Sequence, residues 1–166
     1  MLSVDGHLDN IMKIKLLLLS LSFLIQDIVF CQDKKLLPDS SIVFDVSKGK
    51  KLLEDCSGSE LQNVVDSFWI PNQNDYQDLQ LNFYKLTNQI QELNNYIIQY
   101  IGITLERKKY IYINAFHKSA MEDLKRLHHD LKTSAVVYCG GGIGFWRVLF
   151  DVNLKEFNEI KINAPK

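Results

Sequence analysis

The sequence has no excess of charge of either sign. Nineteen Lys and Arg residues stand against 20 Asp and Glu residues, which gives a formal net charge of −1. The charges are interspersed, without a polybasic arm, an acidic tail, a repeat or a low-complexity segment. Because a basic field is what draws a protein to nucleic acid regardless of sequence, we expect no nucleic-acid partner.

A hydrophobic run long enough to cross a membrane is also missing. The run from Leu16 to Ile25 has ten residues and follows Lys13 and Lys15. A membrane-spanning helix needs about 20 apolar residues, whereas a short run after a charged start is typical of a signal peptide. We therefore predict that residues 1–31 are a signal peptide, that the protein is exported to the periplasm or secreted, and that the mature form has no membrane span.

Two details of this signal stay open. Val29 and Cys31 fit the −3 and −1 positions of a signal-peptidase site, and Met12 is an alternative start because Lys13 and Lys15 follow it directly. The rival interpretation is a lipoprotein acylated on Cys31, which the bulk of Phe30 disfavours. We expect a flexible leader over residues 32–41 and a single α+β domain over residues 42–166.

Cysteine is scarce, with three residues in the whole chain. Removal of the signal leaves Cys56 and Cys139. In an oxidising compartment an isolated pair of thiols tends to form a disulfide, so we predict that Cys56 and Cys139 pair. The alternative is two separate buried thiols that pack as small apolar groups.

The stretch Ala135–Phe150 is the centre of the predicted fold. β-branched and aromatic residues flank four glycines within five positions, which favours a strand, a glycine hinge and a second strand. A further strand is predicted over Phe157–Ala164, after a loop at Asp151–Lys155.

Helices are predicted before this stretch. Ser59 and Gln62 form a capping-box pattern for a helix that Pro71 ends after Trp69. A longer helix is capped by Asn74, and its apolar stripe is expected to pack on a sheet. The stripe consists of Tyr76, Leu79, Phe83, Leu86, Ile90 and Leu93.

Strands follow these helices. Tyr96–Thr104 and Lys109–Phe116 read as a β-hairpin, and the absence of glycine in its connection argues against a two-residue primed turn. His117–Thr133 reads as an inserted helix capped by Ser119. We predict an α+β fold with N-terminal helices on a curved antiparallel sheet of four to five strands, in the element order of cystatin-like or NTF2-like proteins.

Three segments together resemble a family of small exported bacterial proteins that are usually described as uncharacterised. They are Lys108–Phe116, Val136–Trp146 and Phe150–Ala164, and the second contains the motifs Cys-Gly-Gly-Gly and Phe-Trp. Members of that family tend to carry an aspartate directly after the cysteine, where this chain has Gly140. The resemblance implies an exported address and this fold, and it implies no activity.

Signatures of catalysis and of cofactor or metal binding are lacking. The glycine run leads into a strand and not into a helix with Lys-Ser or Lys-Thr, so phosphate binding is disfavoured. Cys139 lies in no thiol-enzyme motif. The histidines His117, His128 and His129 lack the spacing of a metal site. We expect no cofactor and no metal, and we leave the enzyme question open with non-catalytic as the favoured answer.

The favoured function is that of an exported, non-catalytic envelope domain that binds an unknown protein partner or small ligand. Aromatic and polar residues on neighbouring strands are the candidate binding residues. They are Tyr110, Tyr112, Asn114, Phe145, Trp146 and Arg147. One alternative is an enzyme with an NTF2-like pocket and Asn114, His117 or Asp151 at its mouth. Another is a structural envelope component without a ligand. Trp146 and Phe150 are predicted core residues, and Tyr110 and Tyr112 fit either a core or an open face.

Overall fold

A mostly antiparallel open sheet forms the centre of the protein. The computed structural model describes residues 41–54, 60–122 and 130–165. Seven strands form the sheet within these residues, which confirms a mixed α and β architecture. Their bounds are β1 Ser41–Val43, β2 Ser67–Trp69, β3 Tyr96–Leu105, β4 Lys108–His117, β5 Phe145–Asp151, β6 Glu156–Phe157 and β7 Lys161–Ile162.

Three long antiparallel strands, β3, β4 and β5, are flanked by short ones. The outer edge of β3 pairs with β1 in parallel and with β2 in antiparallel orientation. The outer edge of β5 pairs with β6 and β7. The single strand predicted over Phe157–Ala164 is therefore wrong in extent, because two short strands separated by a loop share that edge.

The β3–β4 hairpin lies where the sequence predicts it, but its turn differs. Leu105 pairs with Lys108, so the connection has two residues, Glu106 and Arg107. Both have left-handed backbone angles, with φ of 49° and 64°. This is the geometry of a primed hairpin turn, which matches the twist of the strands. The expectation that the lack of glycine disfavours such a turn was wrong, because the pairing of β3 with β4 imposes the turn.

The helices are short. They are α1 Gly49–Leu52, α2 Glu60–Val64 and α3 Gln73–Asn82, and a 3₁₀ helix, Phe83–Asn88, continues α3. Asn72 caps α3 instead of Asn74, because its Oδ1 accepts from the backbone N–H groups of Asn74 (2.8 Å) and Asp75 (3.1 Å). Asp75 accepts in return from the backbone N–H of Asn72 at 2.9 Å. This capping box starts the helix two residues earlier than predicted.

One face of the sheet, here called the helical face, packs against segment 73–93. The predicted apolar stripe lies in this interface, as expected. Its members Leu79, Phe83, Leu86, Ile90 and Leu93 are buried and Tyr76 is partly buried. They contact inward side chains of the long strands, among them Trp146 and Phe150, whose predicted core positions are confirmed.

The opposite face, here called the loop face, is covered by Phe44, Leu52 and Leu53 and by the segment 130–138. The prediction that Val136–Cys139 forms a strand is wrong. These residues have no strand partner, because the backbone of Val136 binds side chains of β3 and β4 instead of a neighbouring backbone.

Two further local predictions were wrong. Ser67–Trp69 is a strand and not the end of a helix, and the indole of Trp69 covers Gly102 of β3. A Cβ atom at Gly102 would lie 2.2 Å from that ring. Only glycine therefore leaves room for the indole at this position. After β4, His117 and not Ser119 caps a 3₁₀ turn at Lys118–Ala120.

The remaining predictions concern residues that are not described. The residues outside the described part of the chain include the signal peptide, the leader apart from Ser41, Cys56, Ser59, His128 and His129. Ser41 itself is the first residue of β1.

Candidate functional site

Four of the six predicted binding residues meet at one small cavity on the loop face. Asn114, Phe145, Trp146 and Arg147 all line it. The cavity holds about 10 Å³, which is room for about one water molecule. The sequence pattern therefore brought together residues that are neighbours in space, but the space between them does not fit a ligand.

Tyr110 and Tyr112 lie away from this cavity. Tyr112 is 4% exposed and belongs to the core of the loop face, and Tyr110 is half-buried against the same cluster. Of the two possibilities left open, a core or an open face, the structure shows the core for Tyr112, because segments 44–53 and 130–136 cover this face of the sheet.

Asn114 is part of a buried hydrogen-bond network with Gln99. The Nε2 of Gln99 donates to the carbonyl oxygens of Leu131 (2.7 Å) and Ser134 (2.8 Å). Its Oε1 accepts from the backbone N–H of Val136 (3.0 Å) and from Nδ2 of Asn114 (3.1 Å). The Nδ2 of Asn114 also donates to the carbonyl of Val136 (3.0 Å). The two carboxamides thus fix segment 131–136 on the sheet.

The glycine run after Cys139 is a turn that uses two of its backbone N–H groups within the chain. Gly141 and Gly142 have left-handed backbones, with φ of 84° and 54°. The N–H of Gly142 donates to the carbonyl of Ala164 (3.1 Å), and that of Gly144 donates to Gly141 (3.1 Å). These bonds support the predicted hinge, since both donors are used within the chain.

A much larger cleft opens beside this turn, where β3 and β5 begin and β4 ends. Its volume is about 680 Å³, within the range of small-molecule sites. Three segments supply its walls: the loop before β3, the end of β4 and the glycine turn. The lining residues are Gln89, Gln91, Glu92, Tyr96, His117, Ser119, Ala120, Gly141, Ile143, Gly144 and Phe145.

His117 and Tyr96 form the aromatic wall of this cleft. Their rings meet edge to face with centroids 5.3 Å apart. The hydroxyl of Tyr96 donates to the carbonyl of Ile143 at 3.0 Å, which ties β3 to the glycine turn. Burial raises the pKa of Tyr96, so this hydroxyl keeps its proton.

The position of His117 is set by Ser119. Its Nδ1 accepts from the backbone N–H of Ser119 (3.2 Å) and lies 2.7 Å from the Ser119 hydroxyl oxygen. In a neutral imidazole this arrangement places the proton on Nε2, which is then a hydrogen-bond donor. The Ser119 hydroxyl is therefore engaged by Nδ1 of His117, as in a capping turn.

The three residues named as alternatives for the mouth of an NTF2-like pocket lie at three different places. Asn114 lines the small cavity, whereas His117 lines the cleft. Asp151 lies at the other end of β5, where its Oδ1 accepts from the backbone N–H groups of Asn153 and Leu154, both at 2.9 Å. Among the described residues no group of three His, Cys, Asp or Glu side chains has the geometry of a metal site.

Sequence reasoning missed Gln99 and Glu92. Gln99 is a fully buried carboxamide inside an otherwise apolar strand, and that isolated polar residue was the available signal. Glu92 adopts a left-handed backbone, with φ of 51°, at the lip of the cleft. No local pattern marks such a residue, because glycine or asparagine is the usual occupant of this conformation.

Comparison with models of known protein families, with curated proteins and with solved structures found no match for this chain. Its function is therefore argued from the geometry of the cleft.

Proposed function

We propose that the protein is an exported, non-catalytic domain of the bacterial envelope, and that it binds a small ligand in the cleft at the end of β4. The observation that carries this proposal is the cleft itself. It holds about 680 Å³ and is lined by both polar and apolar groups on the ends of three paired strands. Sites on such paired elements hold their side chains in defined positions, as binding requires.

Export rests on the sequence of the first 31 residues, with a periplasmic or secreted destination. Among the described residues, no helix has both the length and the apolar character needed to cross a membrane. Membership of the exported family that the Cys-Gly-Gly-Gly and Phe-Trp segments resemble belongs to the same proposal. The order of a helical segment followed by the β3–β4–β5 meander supports a cystatin-like or NTF2-like relationship.

The proposed disulfide joins Cys139 to Cys56. Glu54, two residues before Cys56, lines the same cavity as Tyr138, the neighbour of Cys139. This proximity supports Cys56 as the partner, since a disulfide needs Cα atoms within about 7 Å. Peptide mapping of unreduced protein tests it: free thiols on both Cys56 and Cys139 would overturn the pairing.

A small-molecule screen by protein-observed NMR tests the function. A Gly144→Leu variant is designed to fill the cleft: Gly144 lacks a positive φ, and a Cβ atom there lies 3.8 Å from Cβ of His117. We expect a fragment library to shift the amide signals of His117, Ser119 and Gly144 in the parent protein and not in the variant.

The matched control is Asn153→Leu, at an exposed position in the turn at the far end of β5. It adds a similar side chain and should leave every shift in place. Ligands that bind the Gly144→Leu variant as well as the parent would contradict the proposed site. A screen without any response in the cleft would favour a structural envelope component.

A further inference from the structure

The polar side chains of the cleft share one property: none of them belongs to Lys or Arg. Among the described residues that line it, the polar groups are the carboxamides of Gln89 and Gln91, the carboxylate of Glu92, the imidazole of His117 and the hydroxyl of Ser119. Neither Lys nor Arg occurs in this lining. An anionic ligand would therefore face the Glu92 carboxylate without a Lys or Arg side chain to compensate it.

Glu92 has a second unusual feature, its backbone. It is left-handed with φ of 51° and ψ of 48°, although a glycine would adopt this conformation without a steric cost. Its side chain is exposed and accepts from Nδ2 of Asn95 at 2.6 Å. Strained residues of this kind concentrate at binding sites. Glu106, Arg107 and Lys155 share this conformation, and what distinguishes Glu92 from them is its place in the lining of the cleft.

Taken together, the polar groups of the cleft fit a ligand that both donates and accepts hydrogen bonds. The carboxylate only accepts, the imidazole Nε2 donates, and the carboxamides do both. A sugar hydroxyl is donor and acceptor at once, so a ring of hydroxyls satisfies this mixture. The apolar wall of Ile143 and the aromatic edges suits the C–H surface of such a ring.

We propose that the cleft binds a neutral saccharide and that the Glu92 carboxylate accepts hydrogen bonds from its hydroxyl groups. This inference rests on the proposed function, because it needs the cleft to be a binding site. It adds the ligand class and a selectivity against anionic sugars that the cleft alone does not require.

Three probes of different charge test the ligand class. Glucose, glucuronate and the diamine cadaverine are titrated into protein expressed from its full-length gene, with the amides of His117, Ser119 and Gly144 as the NMR readout. Glucose should bind at least about tenfold more tightly than glucuronate. Equal or tighter binding of glucuronate would overturn the proposal.

The third probe separates this inference from the proposed function. If cadaverine shifts the cleft amides and glucose does not, the saccharide class is wrong while the cleft stays a ligand site. If none of the three probes shifts these amides, the saccharide class is also wrong, and the library screen with Gly144→Leu decides the function separately.

Variants of Glu92 test its role. Glu92→Gln keeps the side-chain length without the charge, and it should reduce the preference for glucose over glucuronate at least about threefold. Glu92→Gly relieves the backbone strain, so it should raise the melting temperature and weaken glucose binding. Arg107→Gly is the matched control, because Arg107 is left-handed (φ of 64°) in the β3–β4 turn, at the opposite end of β4. It should raise the melting temperature and leave binding unchanged. Unchanged glucose affinity in Glu92→Gly would overturn the role of Glu92.

Discussion

The two faces of the sheet are covered by segments of different kinds. On the helical face, α3 and the 3₁₀ helix after it place a row of apolar side chains against the strands. On the loop face, segment 131–136 lies over the strands without regular structure and is fixed by Gln99 and Asn114. Apolar packing covers the first face, whereas buried hydrogen bonds hold much of the cover on the second.

This difference explains what the sequence could predict. The stripe from Tyr76 to Leu93 has helical spacing, so its burial against a sheet followed from periodicity. The alternation of Tyr110–Asn114 likewise located β4. A segment such as 131–136 has no period to detect, because its backbone binds side chains and not a neighbouring backbone. Its β-branched residues favour a strand by composition, and this is why a strand was predicted there.

The comparison predicts the largest loss of stability on the helical face. Phe83 is fully buried, so Phe83→Ala leaves a cavity and should lower the free energy of unfolding by about 3–5 kcal/mol. Leu81 on the same segment is 65% exposed, and Leu81→Ala should change it by less than about 0.5 kcal/mol. Urea denaturation measures both. Similar losses in the two variants would mean that the stripe does not face the sheet.

On the loop face the corresponding variant is Gln99→Leu. It leaves the N–H of Val136 and the carbonyls of Leu131 and Ser134 without their partner, and we expect a loss of about 2–4 kcal/mol. Hydrogen exchange at the Val136 amide should accelerate more than exchange in β4. Gln77→Leu, at an exposed position of α3, is the matched control and should be close to neutral. A stable Gln99→Leu protein with a protected Val136 amide would refute the hydrogen-bonded attachment.

Alkaline pH should weaken the helical face selectively. Burial raises the pKa of Tyr100 to about 12, from about 10 in the unfolded chain. The folded state therefore keeps this proton in a window where the unfolded state releases it. Stability from this group is complete below pH 10 and falls as the pH rises from 10 to 12.

The Tyr100→Phe variant lacks the phenol, so its free energy of unfolding should not carry this loss at alkaline pH. Between pH 9 and pH 11 the parent protein should lose about 1 kcal/mol more than the variant, by the usual conversion of about 1.4 kcal/mol per pH unit. Tyr84→Phe, at a side chain that is 51% exposed, provides the control. Equal alkaline losses in the parent and Tyr100→Phe proteins would show that Tyr100 does not titrate differently in the folded state.

The β3–β4 turn gives the smallest effect and a baseline for both faces, because Glu106 and Arg107 pack in neither core cluster. Replacing them with Asn and Gly supplies residues that accept the left-handed conformation, and the free energy of unfolding should rise by about 1 kcal/mol.

Lys155→Gly is a useful contrast: Lys155 is also left-handed, with φ of 58°, but its Nζ contacts the Asp78 carboxylate. In Lys155→Gly the relief of backbone strain is opposed by the loss of the contact with Asp78. The free energy of unfolding should therefore rise less than in the Asn-Gly variant. A loss of stability in the Asn-Gly variant would mean that the side chains of Glu106 and Arg107 contribute more than their backbone strain costs.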